Sequence, residues 1–101
     1  FIGAWIARDL LARGDSVFSY DLGDPRRLRL ILPEAEAKKV AFLPGDVTDL
    51  PTLKKAIADH RITHVIHLAG LQVPTCRADP MLGARVNVLG TLAVFEAVRA
   101  A

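Results

Sequence analysis

Short β-prone runs alternate with segments of helical periodicity along this chain, and no other feature constrains its fold as strongly. We predict strands at residues 16–20, 40–43 and 63–69. We predict helices at residues 2–13, at 50–59 and from 80 to 101. This alternation favours a parallel sheet with helices on its faces, because parallel strands need long crossover connections, which are almost always right-handed.

Several expected helix boundaries carry residues suited to capping. Gly14 is placed to end the first helix in the left-handed conformation. Asp49 can cap the second helix, and Asp79 followed by Pro80 is typical of the first turn of the last one. The segment 24–33 is ambiguous and could form a short helix between Asp24 and Pro33.

The apolar spacing also predicts which side of each helix is buried. Ile2, Ile6 and Leu10 recur every four residues, and the adjoining stripe carries Gly3, Ala7, Leu11 and Gly14, so this side of the helix is expected to face a core. Leu53 and Ile57 are expected to point inward from the second helix. The apolar stripe of the last helix is likewise interpreted as core.

Composition excludes several classes of function. The chain has 101 residues, with 13 basic and 11 acidic side chains and a net charge of +2, so it is one domain or part of one. Its basic residues are scattered and no aromatic residues interleave with them, which argues against a nucleic-acid groove. No signal peptide is visible and no apolar stretch approaches the length of about 20 residues that spans a bilayer. We therefore expect no nucleic-acid or membrane partner.

The histidines and the single cysteine do not suggest a metal site. One cysteine, Cys76, cannot form an internal disulfide, which suits the cytoplasm. His64 and His67 lie three apart in an expected strand, so they point to opposite faces and cannot share a metal. We interpret both as structural, His60 as a helix-end residue and Cys76 as an unreactive thiol in a loop.

The opening stretch, FIGAWIARDLLARGDSVFSYD, has the layout of a dinucleotide-binding βαβ unit. Gly3 opens a helix, a β-prone run follows, and Asp21 ends that run eighteen residues after the glycine. In such units a glycine-rich turn leads into a helix that holds the pyrophosphate, and an acidic residue about 20 residues on binds the adenosine ribose. FIG therefore looks like the end of a glycine-rich turn.

Three further strings, GDVTDLPTLKKAI, THVIHLAG and DPMLGARVNVLGTLAVFEAVR, complete a pattern. Together with the opening they resemble the NAD-dependent epimerase/dehydratase family, the extended short-chain dehydrogenases. The resemblance covers essentially the whole chain. It implies an α/β fold of the Rossmann type, a doubly wound parallel sheet that is incomplete here because the first strand and the C-terminal part are missing. Residues 1–101 would then be a partial NAD(P)-binding domain.

The resemblance also implies a set of cofactor contacts. Backbone N–H groups of the first three residues would bind the pyrophosphate, and Asp21 would accept bonds from the adenosine ribose, favouring NAD over NADP. Arg26 and Arg27 leave NADP open as an alternative. The pyrophosphate contacts are thus Phe1, Ile2 and Gly3. The other implied contacts are Asp46 and Val47 at the adenine, and Leu68, Ala69, Gly70 and Asn87 along the rest of the cofactor.

Each of these residues also has a purely structural interpretation. Gly3 could serve only helix packing, and Asp21 could be a solvated turn residue. Asp46 could simply end a strand, and Asn87 could lie on an exposed helix face. Cys76, by the same resemblance, would sit in a loop that borders the nicotinamide end.

The catalytic groups of the family are not recognisable in this chain. Its acid/base pair is Tyr-x-x-x-Lys, but the only tyrosine here is Tyr20 and the fourth residue after it is Asp24. The resemblance implies that a longer parent, which could be a homodimer, acts on a nucleotide sugar or related hydroxyl compound by reversible hydride transfer. The alternatives are a non-catalytic dinucleotide sensor and an inactive fragment, and we expect the isolated 101 residues to fold poorly.

Overall fold

The computed structural model describes residues 2–101, and Phe1 lies outside the described residues. The chain forms two compact units, an N-terminal unit (Phe1–Pro44) and a C-terminal unit (Gly45–Ala101). The elements of the N-terminal unit, in chain order, are α1 (Ile2–Ala12), β1 (Phe18–Asp21), α2 (Arg26–Ile31), α3 (Glu34–Ala37) and β2 (Ala41–Pro44).

The end of α1 confirms the role predicted for Gly14. This glycine has φ 88°, in the left-handed region. The Asp15 N–H donates to the Leu10 carbonyl at 3.0 Å, and the Gly14 N–H donates to the Leu11 carbonyl at 3.0 Å. These two bonds are those of a Schellman motif, which satisfies carbonyls at the end of a helix and turns the chain towards β1.

The first two predicted strands form and pair in parallel. Phe18 lies opposite Ala41, and Asp21 lies opposite Pro44, so both strands end at the same edge of the sheet. The short helix considered between Asp24 and Pro33 forms as α2, and a second one, α3, follows Pro33. The break falls at Pro33, which precedes α3 and cannot donate a backbone hydrogen bond.

The core of the N-terminal unit lies beneath small residues of α1, which confirms the predicted burial of Ala7 and corrects that of the isoleucine stripe. Ile2 is 65% exposed, while Ile6 and Leu10 are only half-buried. Alanine side chains allow close approach to α2, so the helix presents its alanine face instead. The buried cluster consists of Ala4, Ala7, Leu28, Leu32 and Val40.

In the C-terminal unit, α4 packs against the last helix. Its elements are α4 (Leu50–Asp59), α5 (Val73–Ala78), α6 (Pro80–Ala84), a π-helical turn (Arg85–Leu89) and α7 (Gly90–Arg99). The buried apolar residues are Leu53 and Ile57 of α4 with Ala93, Val94 and Ala97 of α7. Burial of Leu53 and Ile57 confirms the prediction for that helix.

Both predicted aspartate caps are present. The Asp49 carboxylate accepts from the Thr52 N–H at 3.2 Å, and the Asp79 carboxylate accepts from the Leu82 N–H at 3.1 Å. Each bond satisfies one of the N–H groups that the first turn of a helix leaves without a partner. The C-cap of α4 is His60, as predicted, followed by Arg61 at φ 52°.

The third predicted strand, residues 63–69, does not form among the described residues. The sheet of residues 2–101 contains only β1 and β2. A strand requires a hydrogen-bonded neighbour, and apolar residues alone do not supply one. Without that neighbour Val65, Ile66 and Leu68 are 42%, 53% and 48% exposed.

The following segment, predicted as a loop, contains the short helix α5. Pro74 lies in its first turn, where a missing N–H costs nothing. The Asp79 N–H donates to the Thr75 carbonyl at 2.9 Å as α5 ends, and Asp79 then caps α6. The two helices are therefore joined at a single residue.

The helical run Pro80–Arg99 differs from expectation in two ways. It is 20 residues long, and its most apolar stretch has a mean hydropathy of 1.4. By length and composition it could therefore cross a membrane, although we expected no segment to be long and apolar enough. A core helix passes the same test, so this is weak evidence for a membrane. The stripe predicted to be core is largely exposed, because α4 covers only the small-residue face; the exposed residues are Met81, Val88, Leu92, Phe95 and Val98.

Candidate functional site

In the N-terminal unit, two predicted cofactor contacts lie at the ends of regular elements. Asp21 is the last residue of β1 and is exposed, and its Oδ1 accepts from the Leu22 N–H at 2.7 Å. Gly3 lies half-buried in the first turn of α1, beside the exposed Ile2. The described first turn of α1 carries no acidic side chain, so no carboxylate there offsets the positive end of the helix dipole. Phe1, the remaining predicted contact, is outside the described residues.

The arginine closest to Asp21 in sequence is engaged by its own loop. Arg26 Nε lies 2.9 Å from both carboxylate oxygens of Asp24. The Arg26 backbone N–H also bonds this carboxylate and is the main reason that the pKa of Asp24 lies below its usual value, with the Arg26 guanidinium adding to the effect. A 2′-phosphate would have to compete with Asp24 for Arg26.

In the C-terminal unit, Asp46 closes a tight turn before α4. Its Oδ1 accepts from the Thr48 N–H at 2.8 Å and from the Thr48 hydroxyl at 2.7 Å. The backbone N–H of Thr48 is the main cause of a lowered pKa for Asp46, followed by the hydroxyl; the charge of Arg85 adds a smaller effect. Asp46 is therefore ionised at neutral pH and shapes the backbone around Val47.

This lowered pKa predicts a pH-dependent contribution to stability. A carboxylate whose pKa is lower in the folded protein stabilises it above the unfolded pKa, and the contribution is lost as the pH falls through the folded pKa. We expect Asp46→Asn to lower the free energy of unfolding of the intact gene product by about 1 kcal/mol at pH 7. Urea unfolding should show the two proteins converging below about pH 4. A difference that persists at low pH would contradict the assignment, and Thr48→Val should raise the Asp46 pKa.

Val47 packs directly on the last helix at Gly90. A Cβ placed on Gly90 would lie 2.8 Å from Val47 Cγ1, closer than real Cβ atoms approach a methyl group. Glycine is therefore required at this crossing if the turn is to stay where it is. The valine predicted to contact adenine is thus held by the helix on one side.

The Gly90 contact predicts a compensated pair of substitutions. We expect Gly90→Ala to destabilise the intact gene product by about 1 kcal/mol, since overpacking costs about 1–3 kcal/mol and the gain in helix propensity returns about 1. Val47→Ala removes the contacting methyl, so Gly90→Ala in a Val47→Ala background should be neutral or stabilising. Thermal unfolding of the four proteins measures this, and strict additivity would argue against the contact.

The small residues after the expected third strand are open to solvent. Leu68, Ala69 and Gly70 are all exposed. A Cβ on Gly70 would meet only Asn87 Oδ1, at the ordinary distance of 3.5 Å. Alanine therefore fits this position without displacing a neighbour.

Asn87 is not on an exposed helix face. It lies half-buried in the π-helical turn, where its Oδ1 accepts from the Leu71 N–H at 2.7 Å and its Nδ2 donates to the Leu71 carbonyl at 2.9 Å. The carboxamide thus pairs with Leu71 as one peptide group pairs with another across a sheet. Cys76 lies beside this pair, its Sγ 3.6 Å from Asn87 Nδ2. We call the Asn87–Leu71 pair the amide clamp.

Two threonines important to this unit were not singled out from the sequence. Thr48 supplies both donors to Asp46, and the D-x-T spacing is a local signal that could have indicated it. Thr91 bonds both His67 and the Asn87 carbonyl, and no local pattern predicts a bond to His67 across 24 positions. No group of metal-ligating side chains occurs within residues 2–101.

Known proteins are similar to the whole chain. The family described as GDP-mannose 4,6 dehydratase matches residues 1–101. UDP-glucose 4-epimerase of Klebsiella pneumoniae is 34% identical and is matched over 75% of its length, and that of Erwinia amylovora is 36% identical and is matched over 31%. Both alignments cover 100% of this chain.

A solved structure gives the corresponding result in three dimensions. The structure of Thermus thermophilus UDP-glucose 4-epimerase in complex with NAD aligns with a TM-score of 0.81 and 36% identity, over 99% of this chain and 31% of that one. This chain therefore spans about a third of that epimerase. A family match that covers all 101 residues of this chain, together with the parallel α/β arrangement shared with Rossmann-fold epimerases, shows that the chain belongs to the GDP-mannose 4,6 dehydratase family of NAD-dependent epimerases and dehydratases.

Proposed function

We propose that these residues are the NAD-binding part of an epimerase or dehydratase that acts on a nucleotide sugar by reversible hydride transfer. The observation that carries the proposal is the match, at 36% identity over 99% of the chain, to an epimerase whose structure contains NAD. Residues 1–101 then constitute part of a dinucleotide-binding domain, and the cofactor is NAD.

The geometry of each unit supports the proposed contacts. Asp21 is exposed at the carboxyl end of β1, where parallel sheets bind ligands, and its second oxygen is available to a ribose hydroxyl. The first turn of α1, with Ile2 and Gly3, is placed to offer backbone N–H groups to a pyrophosphate. Residues 68–70 are exposed, and Ala69 and Gly70 are small enough for a ligand to approach their backbone.

Asp46 and Val47 are proposed to contact the adenine. Asp46 uses one oxygen for both bonds to Thr48. Val47 is fixed by Gly90 and is therefore a rigid apolar surface. Asn87 is proposed not to offer its carboxamide to the cofactor, because both polar atoms of that group are bonded to the Leu71 backbone.

The reaction itself requires groups outside residues 1–101. The sequence has one tyrosine, Tyr20, which lies within β1 and is not followed by the Lys of a Tyr-x-x-x-Lys pair. A protein of this class working in the cytoplasm as a homodimer fits the proposal, and the exposed apolar stripe of Pro80–Arg99 is compatible with a second copy.

The proposal is tested with the intact gene product. Calorimetry should show NAD binding, with NADP binding at least about tenfold more weakly because the Asp21 carboxylate repels a 2′-phosphate. Proton NMR should then show interconversion of UDP-glucose and UDP-galactose, or loss of water from a nucleotide-diphosphate sugar. Absence of NAD binding would refute the proposal, and binding without turnover of any nucleotide sugar would favour a dinucleotide sensor.

A further inference from the structure

A series of hydrogen bonds joins residues 67–71 to the last helical run. His67 Nε2 lies 3.0 Å from Thr91 Oγ1, and the Thr91 hydroxyl donates to the Asn87 carbonyl at 2.7 Å. From Asn87, the amide clamp continues the series to the backbone of Leu71. We call this series, from His67 through Thr91 and Asn87 to Leu71, the path. The path leaves the segment at residue 67 and rejoins it at residue 71, so it brackets residues 68–70.

The direction of these bonds follows from the number of hydrogens available. A threonine hydroxyl has one hydrogen, and here that hydrogen is donated to the Asn87 carbonyl. Thr91 Oγ1 must therefore accept from His67, whose Nε2 carries the hydrogen. The bond fixes the imidazole as the Nε2–H form and requires a donor at this position.

Residues 68–70 lie between the two points at which this path bonds the segment, residue 67 and residue 71. Their exposed side chains contribute little packing. The bonds at residues 67 and 71 therefore constrain where this backbone lies.

We propose that His67 and Thr91 are positioning residues, which hold the backbone of residues 68–70 where the cofactor is bound. The inference rests on the proposed function, because the ligand whose affinity it controls is NAD. Neither side chain touches the cofactor. Both act through the amide clamp and the helix that carries it.

The test uses the intact gene product and isothermal titration with NAD. Thr91→Val keeps the shape of the side chain but removes both of its bonds, and we expect the Kd for NAD to rise about tenfold. His67→Leu should have a similar effect, and the double variant should be little worse than either single one because the two residues belong to one path. The conservative variants Thr91→Ser and His67→Gln keep the acceptor and the donor, respectively. We expect both to retain most of the NAD affinity.

A matched control separates positioning from loss of stability. Val94→Ala removes buried volume from α7 without touching the path, so it should lower the melting temperature while leaving the Kd unchanged. Two readouts need no cofactor. Nitrogen NMR should show His67 as the Nε2–H form in the wild type, and amide hydrogen exchange at residues 68–71 should accelerate in Thr91→Val.

The outcomes distinguish this inference from the function on which it rests. A wild-type protein that fails to bind NAD refutes the proposed function. If, in addition, the amides of residues 68–71 exchange at equal rates in the wild type and in Thr91→Val, the positioning role of Thr91 is refuted as well. If the wild type binds NAD but Thr91→Val binds it equally well, only the positioning role is wrong. The same conclusion follows if Val94→Ala weakens binding as much as Thr91→Val does.

Discussion

Asp21→Ala is expected to weaken NAD binding by the intact gene product about a hundredfold. Hydrogen bonds to a charged group contribute about 1.5–3 kcal/mol each, and the proposed role gives this carboxylate two ribose hydroxyls. A loss of about 2.7 kcal/mol corresponds to a hundredfold change in Kd. The bond from the Leu22 N–H to Asp21 orients the carboxylate before the ligand arrives, so little ordering cost offsets its interaction with the ribose.

The effect on NADP should have the opposite sign. Removing the carboxylate also removes its repulsion of a 2′-phosphate. The ratio of the Kd for NADP to the Kd for NAD should therefore fall by more than the loss of NAD affinity alone would produce. Asp24→Asn is the matched control for the NAD affinity, because it removes a charge from the same loop but has no proposed contact with the ribose; with NADP it would also release Arg26 towards the 2′-phosphate. Titration of both cofactors into the three proteins decides the matter. Equal losses for Asp21→Ala and Asp24→Asn would mean that only net charge is involved.

Asn87→Leu is expected to destabilise the intact gene product by about 2–3 kcal/mol. The substitution removes the Asn87 bonds to the Leu71 backbone, at 2.7 and 2.9 Å, which leaves the half-buried N–H without its partner and the carbonyl with only the weak Cys76 thiol donor at 3.5 Å. Leaving such a group unsatisfied costs about 1–3 kcal/mol, and nearby water would recover part of it. Leucine also introduces apolar volume beside Cys76, where the packing is already close.

Chemical denaturation measures the total loss, and hydrogen exchange locates it. The Leu71 amide should exchange faster in Asn87→Leu than in the wild type, whereas amides of α4 should change only by the global loss of stability. Gln72→Leu is the control, because the side chain of this exposed neighbour makes no cap bond to α5. Unchanged exchange at Leu71 would show that the amide clamp is not formed in solution.

Features that depend on a few neighbouring residues were predicted well from sequence. The caps at Asp49 and Asp79 and the left-handed turn at Gly14 are local, since each involves bonds within five residues along the chain. The parallel direction of the first two strands was also predicted correctly, from the alternation of strands and helices along the chain.

Features that depend on a distant neighbour were not predicted. The burial of Ala4 and the exposure of Ile2 in α1 were set by close packing against α2, which hydrophobic spacing does not record. The helix α5 was missed because the signals of its ends, Pro74 and Asp79, are equally typical of a loop.

The sequence by itself determined the three long helical segments and their caps, the first two strands and the family pattern, because each follows from short-range geometry or a recognisable spacing of residues. Only the tertiary structure decided that residues 63–69 form no strand, since a strand exists through its neighbour and not through its own composition. It also decided that Asn87 pairs with Leu71 and that Thr91 joins His67 to the helix. Hydrogen bonds across 16 and 24 positions form only after the chain has brought those side chains together.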